Sequence, residues 1–447
     1  MALYAFDGTL DFDQELDGLD TNVVRFKELY NGDTEAYLEG VGTRHGVLGK
    51  ALGGVFGFGG RARINEMYDL LCEKYKNGDK QIDIVGFSRG AALALHFANK
   101  LHEEGIDGIS EKPTIRYLGL WDVVGSFGLS FNNILKFQDI NLGWDIKNVA
   151  NSVSHCCHAM ALDERRESFD VTRLNHDRSH ANVEERWFRG THGDIGGGNQ
   201  NPLRSNIAFH WIYKRARDCG VPLKDISEIQ SLPANDPDVI KYVSTDRFAP
   251  IMETKDIWVD PRREVLPDDI IDETAHGLRL AIGESHQTDV YSKLKYNWTG
   301  VEVQTNETYE VKLVDPTDTW LDGIKKRKAK TRNDPLHINL NTGKPIECGP
   351  DGWDAEVELN GIKDDIVQAA ERFRRHPQAA WFELVGIIGD TDRIENMVRL
   401  GDAKTGDTFT APSPGELYMF ANDLKRKYNN NAGLLTIRIT RLKDAPA

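Results

Sequence analysis

Gln81-Ile-Asp-Ile-Val-Gly-Phe-Ser-Arg-Gly90 decides the fold. Its first half is a continuous apolar run with β-branched residues, the pattern of a strand buried on both faces. Its second half, Gly86-Phe-Ser-Arg-Gly90, places small residues on either side of a serine, and the alanine-rich stretch 91–101 follows at helical spacing. Strand, sharp turn, helix is the context in which a G-x-S-x-G pentapeptide lifts a serine hydroxyl clear of a sheet edge as a nucleophile.

The same rhythm extends outward over about 220 residues. Residues 2–6 (ALYAF) read as a short strand ended by the turn Asp7-Gly8-Thr9. Residues 66–76 read as a helix stopped at Gly78, 115–121 (IRYLGLW) as a strand, 187–188 as the end of another, and 207–219 as a helix ended by Gly220. Alternating strands and helices predict a mainly parallel sheet wrapped by helices. From about residue 222 the chain becomes Pro- and Asp-rich (LPANDPD, VDPRREVLPDD), read as loops and short helices over the first domain. Beyond Asn297 the texture is β-rich, with runs at 301–304, 308–314, 353–359, 380–388, 416–420 and 434–440, a small all-β sandwich. The fold class is therefore α/β followed by all-β, with domains expected at 1–289 and 290–447.

A nucleophilic serine needs a base and an orienting acid, which in this kind of sheet follow in the order Ser, Asp, His. Asp122 ends the strand 115–121 and is expected at the same sheet edge as Ser88. His192 lies in the glycine-rich loop RGTHGDIGGG (189–198). His192 is expected to take the Ser88 proton, with Asp122 holding the imidazole tautomer. Thirteen histidines compete. His155 and His158 lie in SHCCHAM, read as an apolar-faced helix with buried histidines; His96 and His102 read as surface residues of the helix after the serine. Asp194 is the rival orienting acid. The oxyanion donors expected are the backbone N–H of Arg89 with that of Gly8 or Thr9. Residues 47–59, glycine-rich yet carrying large apolar side chains, read as a wall or lid of an acyl pocket, with residues 127–137 opposite.

Length and charge bound the rest. The 447 residues are roughly three typical domain lengths, and 40% hydrophobic with 28% charged residues, 41 Gly and 16 Pro place the chain among globular proteins. No apolar run is long enough to span a bilayer, and MALYAFDGTLDFDQ has neither the basic head nor the apolar stretch of a signal peptide, so cytoplasmic synthesis and export by a route that reads the folded protein are expected. A net charge of −15 disfavours a nucleic-acid surface. Five cysteines with no C-x-x-C pair predict neither a disulfide framework nor a zinc site. The basic run KKRKAKTR (325–332) reads as a solvated loop.

The motifs FDGT (6–9), TNV (21–23), GVGT (40–43), GFSRGA (86–91), WDVVG (121–125), the stretch from His158 to Arg166, and HGDIGG (192–197) together resemble the α/β-hydrolase domain of type VI secretion lipase effectors. The resemblance covers roughly residues 1–220. It implies a Ser88, Asp122, His192 triad without a catalytic cofactor, an acyl-ester substrate such as a phospholipid, delivery into rival bacteria by a type VI route, and partners among the secretion machinery and an immunity protein. The long membrane-directed insertions of better-known effectors are missing. An esterase for small soluble acyl substrates, and a carbohydrate-binding or interaction protein on an inert hydrolase scaffold, are the alternatives.

The second domain, through residues 298–300, 308–310 and 318–320 and above all GELYMFAND (415–423) and YNNNAG (428–433), resembles the PA-I-like galactophilic lectin domain. That resemblance implies a glycan ligand and a calcium ion held by Asp423, Asn430 and Asn431, oxygen donors of the hard type calcium prefers. Lys425, Arg426 and Lys427 place three positive charges in the intervening loop, and Ala432 stands where the family has a hydroxyl residue.

Overall fold

The computed structural model describes residues 1–8, 20–38, 60–125, 145–166, 169–174, 182–198, 202–226, 263–323, 345–353, 372–389, 392–424 and 428–444. They form two compact units, the first running through Ala275 and the second from His276 onward. Residues 276–289 go with the second unit because Ser285–Tyr291 is a strand paired along the C-terminal strand.

In the first unit seven parallel strands form one sheet: β1 (Ala2–Phe6), β2 (Tyr37–Leu38), β3 (Ile82–Phe87), β4 (Ile115–Trp121), β5 (Cys156–Ala161), β6 (Val183–Phe188) and β7 (Ile270–Ile271). Their spatial order is β2-β1-β3-β4-β5-β6-β7. Among the described residues the α-helices are α1 (Asn22–Leu29), α2 (Gly60–Lys76), α3 (Ser88–Glu104), α4 (His192–Gly196) and α5 (Leu203–Asp218). The side chains of β1 alternate between two cores. Tyr4 and Phe6 pack in a cluster with Met67 and Leu71 of α2 and Phe97 of α3. Leu3 and Ala5 pack in another with Phe26 of α1 and Phe209 of α5. Helices thus cover both faces, which is why the strands read as unbroken apolar runs.

One sequence expectation is overturned here. SHCCHAM is not a helix: residues 156–161 are β5, an interior strand with every residue buried. A short apolar run carries no period that separates a buried strand from a buried helix, and the flanking pairings to β4 and β6 decide it. Two further expectations shift. The helix read at 91–101 begins at Ser88 and runs to Glu104, closed by Gly105, and the one read at 66–76 begins at Gly60.

Among the described residues, every pairing between strands of the second unit is antiparallel. One sheet contains β8 (Ser285–Tyr291), β10 (Glu307–Leu313), β11 (Trp320–Asp322), β12 (Ile346–Cys348), β15 (Asp407–Thr410) and β17 (Ala432–Asp444); the other contains β9 (Asn297–Val303), β13 (Leu384–Ile388), β14 (Met397–Arg399) and β16 (Gly415–Ala421). Val311, Trp320 and Ile437 of the first share one core with Val301, Leu384 and Met419 of the second. The basic run 325–332 and residues 354–359 lie outside the described residues. No helix among the described residues is long and apolar enough to cross a membrane.

Candidate active site

Because all seven strands are parallel, the turns at their C-terminal ends gather at one sheet edge, where α/β sheets hold their ligands. Asp7-Gly8 follows β1, Ser88 follows β3, Asp122 follows β4 and the 189–192 turn follows β6.

Ser88 opens α3 with φ +59°, a left-handed conformation that a residue with a Cβ rarely adopts. The neighbouring glycines allow it. A Cβ on Gly90 would stand 2.4 Å from the carbonyl oxygens of Phe6 and Asp7, and one on Gly86 would stand 2.7 Å from Ala91 Cα. Only hydrogen fits where α3 crosses the end of β1. Asp122 also has positive φ, +43°, at the end of β4.

His192 is the first residue of α4, not part of an open loop. Thr191 caps that short helix and the Asp194 carboxylate accepts from the Thr191 N–H at 2.8 Å and its hydroxyl at 3.0 Å, a capping box. Asp194, the rival acid, is thereby a cap. The preceding turn is held by Asp163, which pairs with Arg189 at 3.0 Å and accepts from Gly190 N–H at 2.7 Å. The His192 N–H donates to Glu164 Oε2 at 3.1 Å. Phe87 and Phe169 contact the imidazole, with ring centroids at 4.6 and 4.8 Å.

Ser88, His192 and Asp122 come together as one hydrogen-bonded chain. Ser88 Oγ lies 2.8 Å from His192 Nε2, and His192 Nδ1 lies 2.6 Å from Asp122 Oδ2. With the carboxylate as acceptor, Nδ1 carries the proton and Nε2 accepts from the serine hydroxyl. All three are buried. Burial is the largest influence on the imidazole and lowers its pKa, against the upward pull of Asp122. Asp122 is held below the usual carboxylate range: burial opposes this, but Arg263 and then His192 outweigh it.

The other expected residues divide. Gly8 lies against the serine turn, since a Cβ on it would be 3.1 Å from Ser88 Cβ, but its N–H donates to Asp7 Oδ1 at 2.7 Å. Thr9 lies outside the described residues, as do residues 47–59 and 127–137. Arg89 sits in the first turn of α3, where backbone N–H groups have no acceptor within the helix. His158 is a buried partner of the edge: its Nε2 accepts from Val123 N–H at 3.1 Å and its Nδ1–H donates to Glu185 at 3.0 Å. His96 is half-buried and accepts from the Asp145 N–H at 3.2 Å. Sequence reasoning passed over Arg263, which carries no motif of its own, and gave no role to Glu164 within the stretch from His158 to Arg166.

In the second unit Asp423 and Asn431 are buried beside one another, Asn431 Nδ2 donating to Asp423 Oδ2 at 3.2 Å, while Asn430 Nδ2 donates to Asp322 Oδ1 at 3.3 Å. Asp322, fully buried, was not anticipated. Burial and the nearby Asp423 carboxylate push its carboxyl well above the usual range. The Oδ1 atoms of Asn430 and Asn431 are buried and make no hydrogen bond among the described residues. Two acidic groups with two unsatisfied amide oxygens form a donor set that fits a hard cation. Residues 425–427 are outside the described set.

Comparison with known proteins adds to this geometry. Residues 3–107 and 103–215 match one family model. It describes the catalytic domain of the type VI secretion phospholipase effectors of Tle1-like kind. The Tle1-like match spans β1 through most of α5, and so contains Ser88, Asp122 and His192. No curated protein compared with the chain matches it. Among solved structures, an uncharacterized protein from Pseudomonas aeruginosa is 20% identical over 50% of this chain and 46% of its own, with a TM-score of 0.32. A Tle1 effector bound to the VgrG spike of a type VI secretion system is 24% identical over 45% of this chain and 51% of its own, also at 0.32. The N-terminal domain of EclA, a PllA-like lectin, is 15% identical over 35% of this chain and 94% of its own, at 0.21. The chain spans about half the length of the first two structures.

Proposed function

We propose that the first unit is an α/β-hydrolase that cleaves carboxylic esters of phospholipids through an acyl-enzyme on Ser88. The observation that carries this reading is the continuous chain Ser88 Oγ, His192 Nε2, His192 Nδ1, Asp122 Oδ2 at 2.8 and 2.6 Å, with the serine in a left-handed turn. The Tle1-like match supports the phospholipid class over other esters. Ser88 Oγ attacks the ester carbonyl carbon as its proton passes to His192 Nε2. The carbon–oxygen bond to the glycerol side breaks, and the departing alkoxide takes that proton. Water then attacks the Ser88 ester, gives its proton to Nε2, and leaves a fatty acid with the serine restored. Asp122 offsets the imidazolium charge in both halves. We assign the oxyanion to the N–H groups of Arg89 and Gly8, the latter on releasing Asp7. Delivery by a type VI route, with secretion machinery as a partner, accompanies this reading in line with the same match, and an immunity protein is proposed beside it as a further partner.

For the second unit we infer a lectin-like role in which Asp423, Asn430 and Asn431, joined by Asp322, hold calcium. The ion would supply a Lewis-acidic centre for sugar hydroxyls, and the orphaned amide oxygens support the reading. Release of fatty acid from diacyl phospholipid, wild type beside Ser88→Ala, tests the enzyme; release of fatty acid equal in both would refute it.

A further inference from the structure

Asp122 has more partners than an acid serving one imidazole requires. Oδ1 accepts from the Ala161 N–H at 2.9 Å and from Arg263 Nη1 at 2.6 Å; Oδ2 accepts from His192 at 2.6 Å and from Arg263 Nη2 at 3.0 Å. The same two guanidinium nitrogens also donate to the carbonyls of Ala161, at 2.9 Å, and Phe169. The pair is out of water, the arginine side chain 5% and the aspartate 0% exposed. Two aspartates shortly downstream tie the segment that carries Arg263 to the sheet. Asp269 pairs with Arg173 at 2.7 Å and accepts from Trp187 Nε1 at 3.0 Å, and Asp272 pairs with Arg186 at 3.2 Å.

We propose that Arg263 is a positioning residue of the site, a two-pronged clamp that fixes the plane of the Asp122 carboxylate toward His192 and shares its negative charge. The proposal rests on the serine-hydrolase reading. A planar fork matched to both carboxylate oxygens removes the rotation that a single hydrogen bond leaves open. It also gives a buried carboxylate a counter-ion in the resting state, when the imidazole is neutral. The charges facing His192 are Asp122 at Nδ1, Glu164 at its N–H, Arg166, which pairs with Glu164 at 2.8 Å, and Asp194 within its own helix; Arg263 stands behind Asp122. Without Arg263 the full Asp122 charge acts on the imidazole and favours its protonated form.

The test is the pH profile of kcat/KM for a short-chain nitrophenyl ester, using the full chain as wild type, Arg263→Gln and Arg263→Lys, with a separate sample of the wild type treated with a fluorophosphonate. Arg263→Gln should move the acid limb upward by about one unit or more and lower the plateau about ten- to a hundredfold. Arg263→Lys keeps the charge but loses the fork; its acid limb should stay with the wild type while turnover falls about tenfold. An Arg263→Gln profile that superimposes on the wild type, or that loses height with its acid limb unmoved, overturns the proposal. Should Arg263→Gln not fold, wild-type turnover in Arg263→Lys overturns it. A wild type that takes no fluorophosphonate label refutes the hydrolase reading itself and the proposal with it, an outcome distinct from the others.

Discussion

Ser88 and Asp122 occupy equivalent positions on neighbouring strands. Phe87 of β3 is in register with Trp121 of β4, and the next residue of each strand turns into positive φ, +59° and +43°. The Ser88 and Asp122 side chains thus leave one sheet edge side by side, and α4 supplies the imidazole that bridges them.

Because the three side chains form one hydrogen-bonded unit, Ser88→Ala, Asp122→Asn and His192→Ala should each lower ester hydrolysis by roughly three to four orders of magnitude without additive losses in the doubles. Steady-state kinetics on the singles and on Ser88→Ala/His192→Ala measures this. Multiplying losses in the double would show that the residues act independently.

The pH dependence stems from the direction of the His192 shift. The base must be neutral to accept the serine proton, and burial lowers its pKa below the ordinary 6.5. Activity is therefore present above that lowered value and lost only as pH falls through it, so the acid limb of kcat/KM lies below the usual histidine range. A limb at or above 6.5 would contradict the buried, neutral imidazole.

Gly90→Ala tests the close crossing of α3 over β1. The new methyl would meet two backbone carbonyl oxygens at 2.4 Å, atoms that cannot swing aside, and overpacking of this kind costs about 1–3 kcal/mol. Urea unfolding monitored by tryptophan fluorescence should show that loss; an unchanged midpoint would mean the helix is not held so tightly.

Calcium should bind the second unit, and Asp423→Ala or Asp322→Asn should each weaken it at least about tenfold, roughly 1.4 kcal/mol. Calorimetric titration of the full chain decides this. No heat at millimolar calcium would leave the unit a docking module without the ion.

Much of this was legible in the sequence, for identifiable reasons. G-x-S-x-G after an apolar strand has one economical geometry, and Asp122 at the end of a strand could be placed because strand ends share an edge. His158 was misassigned to a helix because a buried run of six residues has no usable period. Arg263 was invisible for a different reason: one of two adjacent arginines in a Pro- and Asp-rich stretch acquires meaning only when the chain returns to the sheet, 141 residues from its partner. Asp322 was hidden in the same way, meeting Asn430 across 108 residues. Local pattern reports strands and turns; it does not report which distant charge is brought to a buried carboxylate.

The most direct measurement is release of free fatty acid from diacyl phospholipid vesicles by the purified full chain, alongside Ser88→Ala and with fluorophosphonate labelling mapped by peptide mass spectrometry. The expected result is fatty acid release by the wild type, label on Ser88 alone, and neither in Ser88→Ala; release that persists in Ser88→Ala, or label on another residue, would contradict the assignment of Ser88 as the nucleophile.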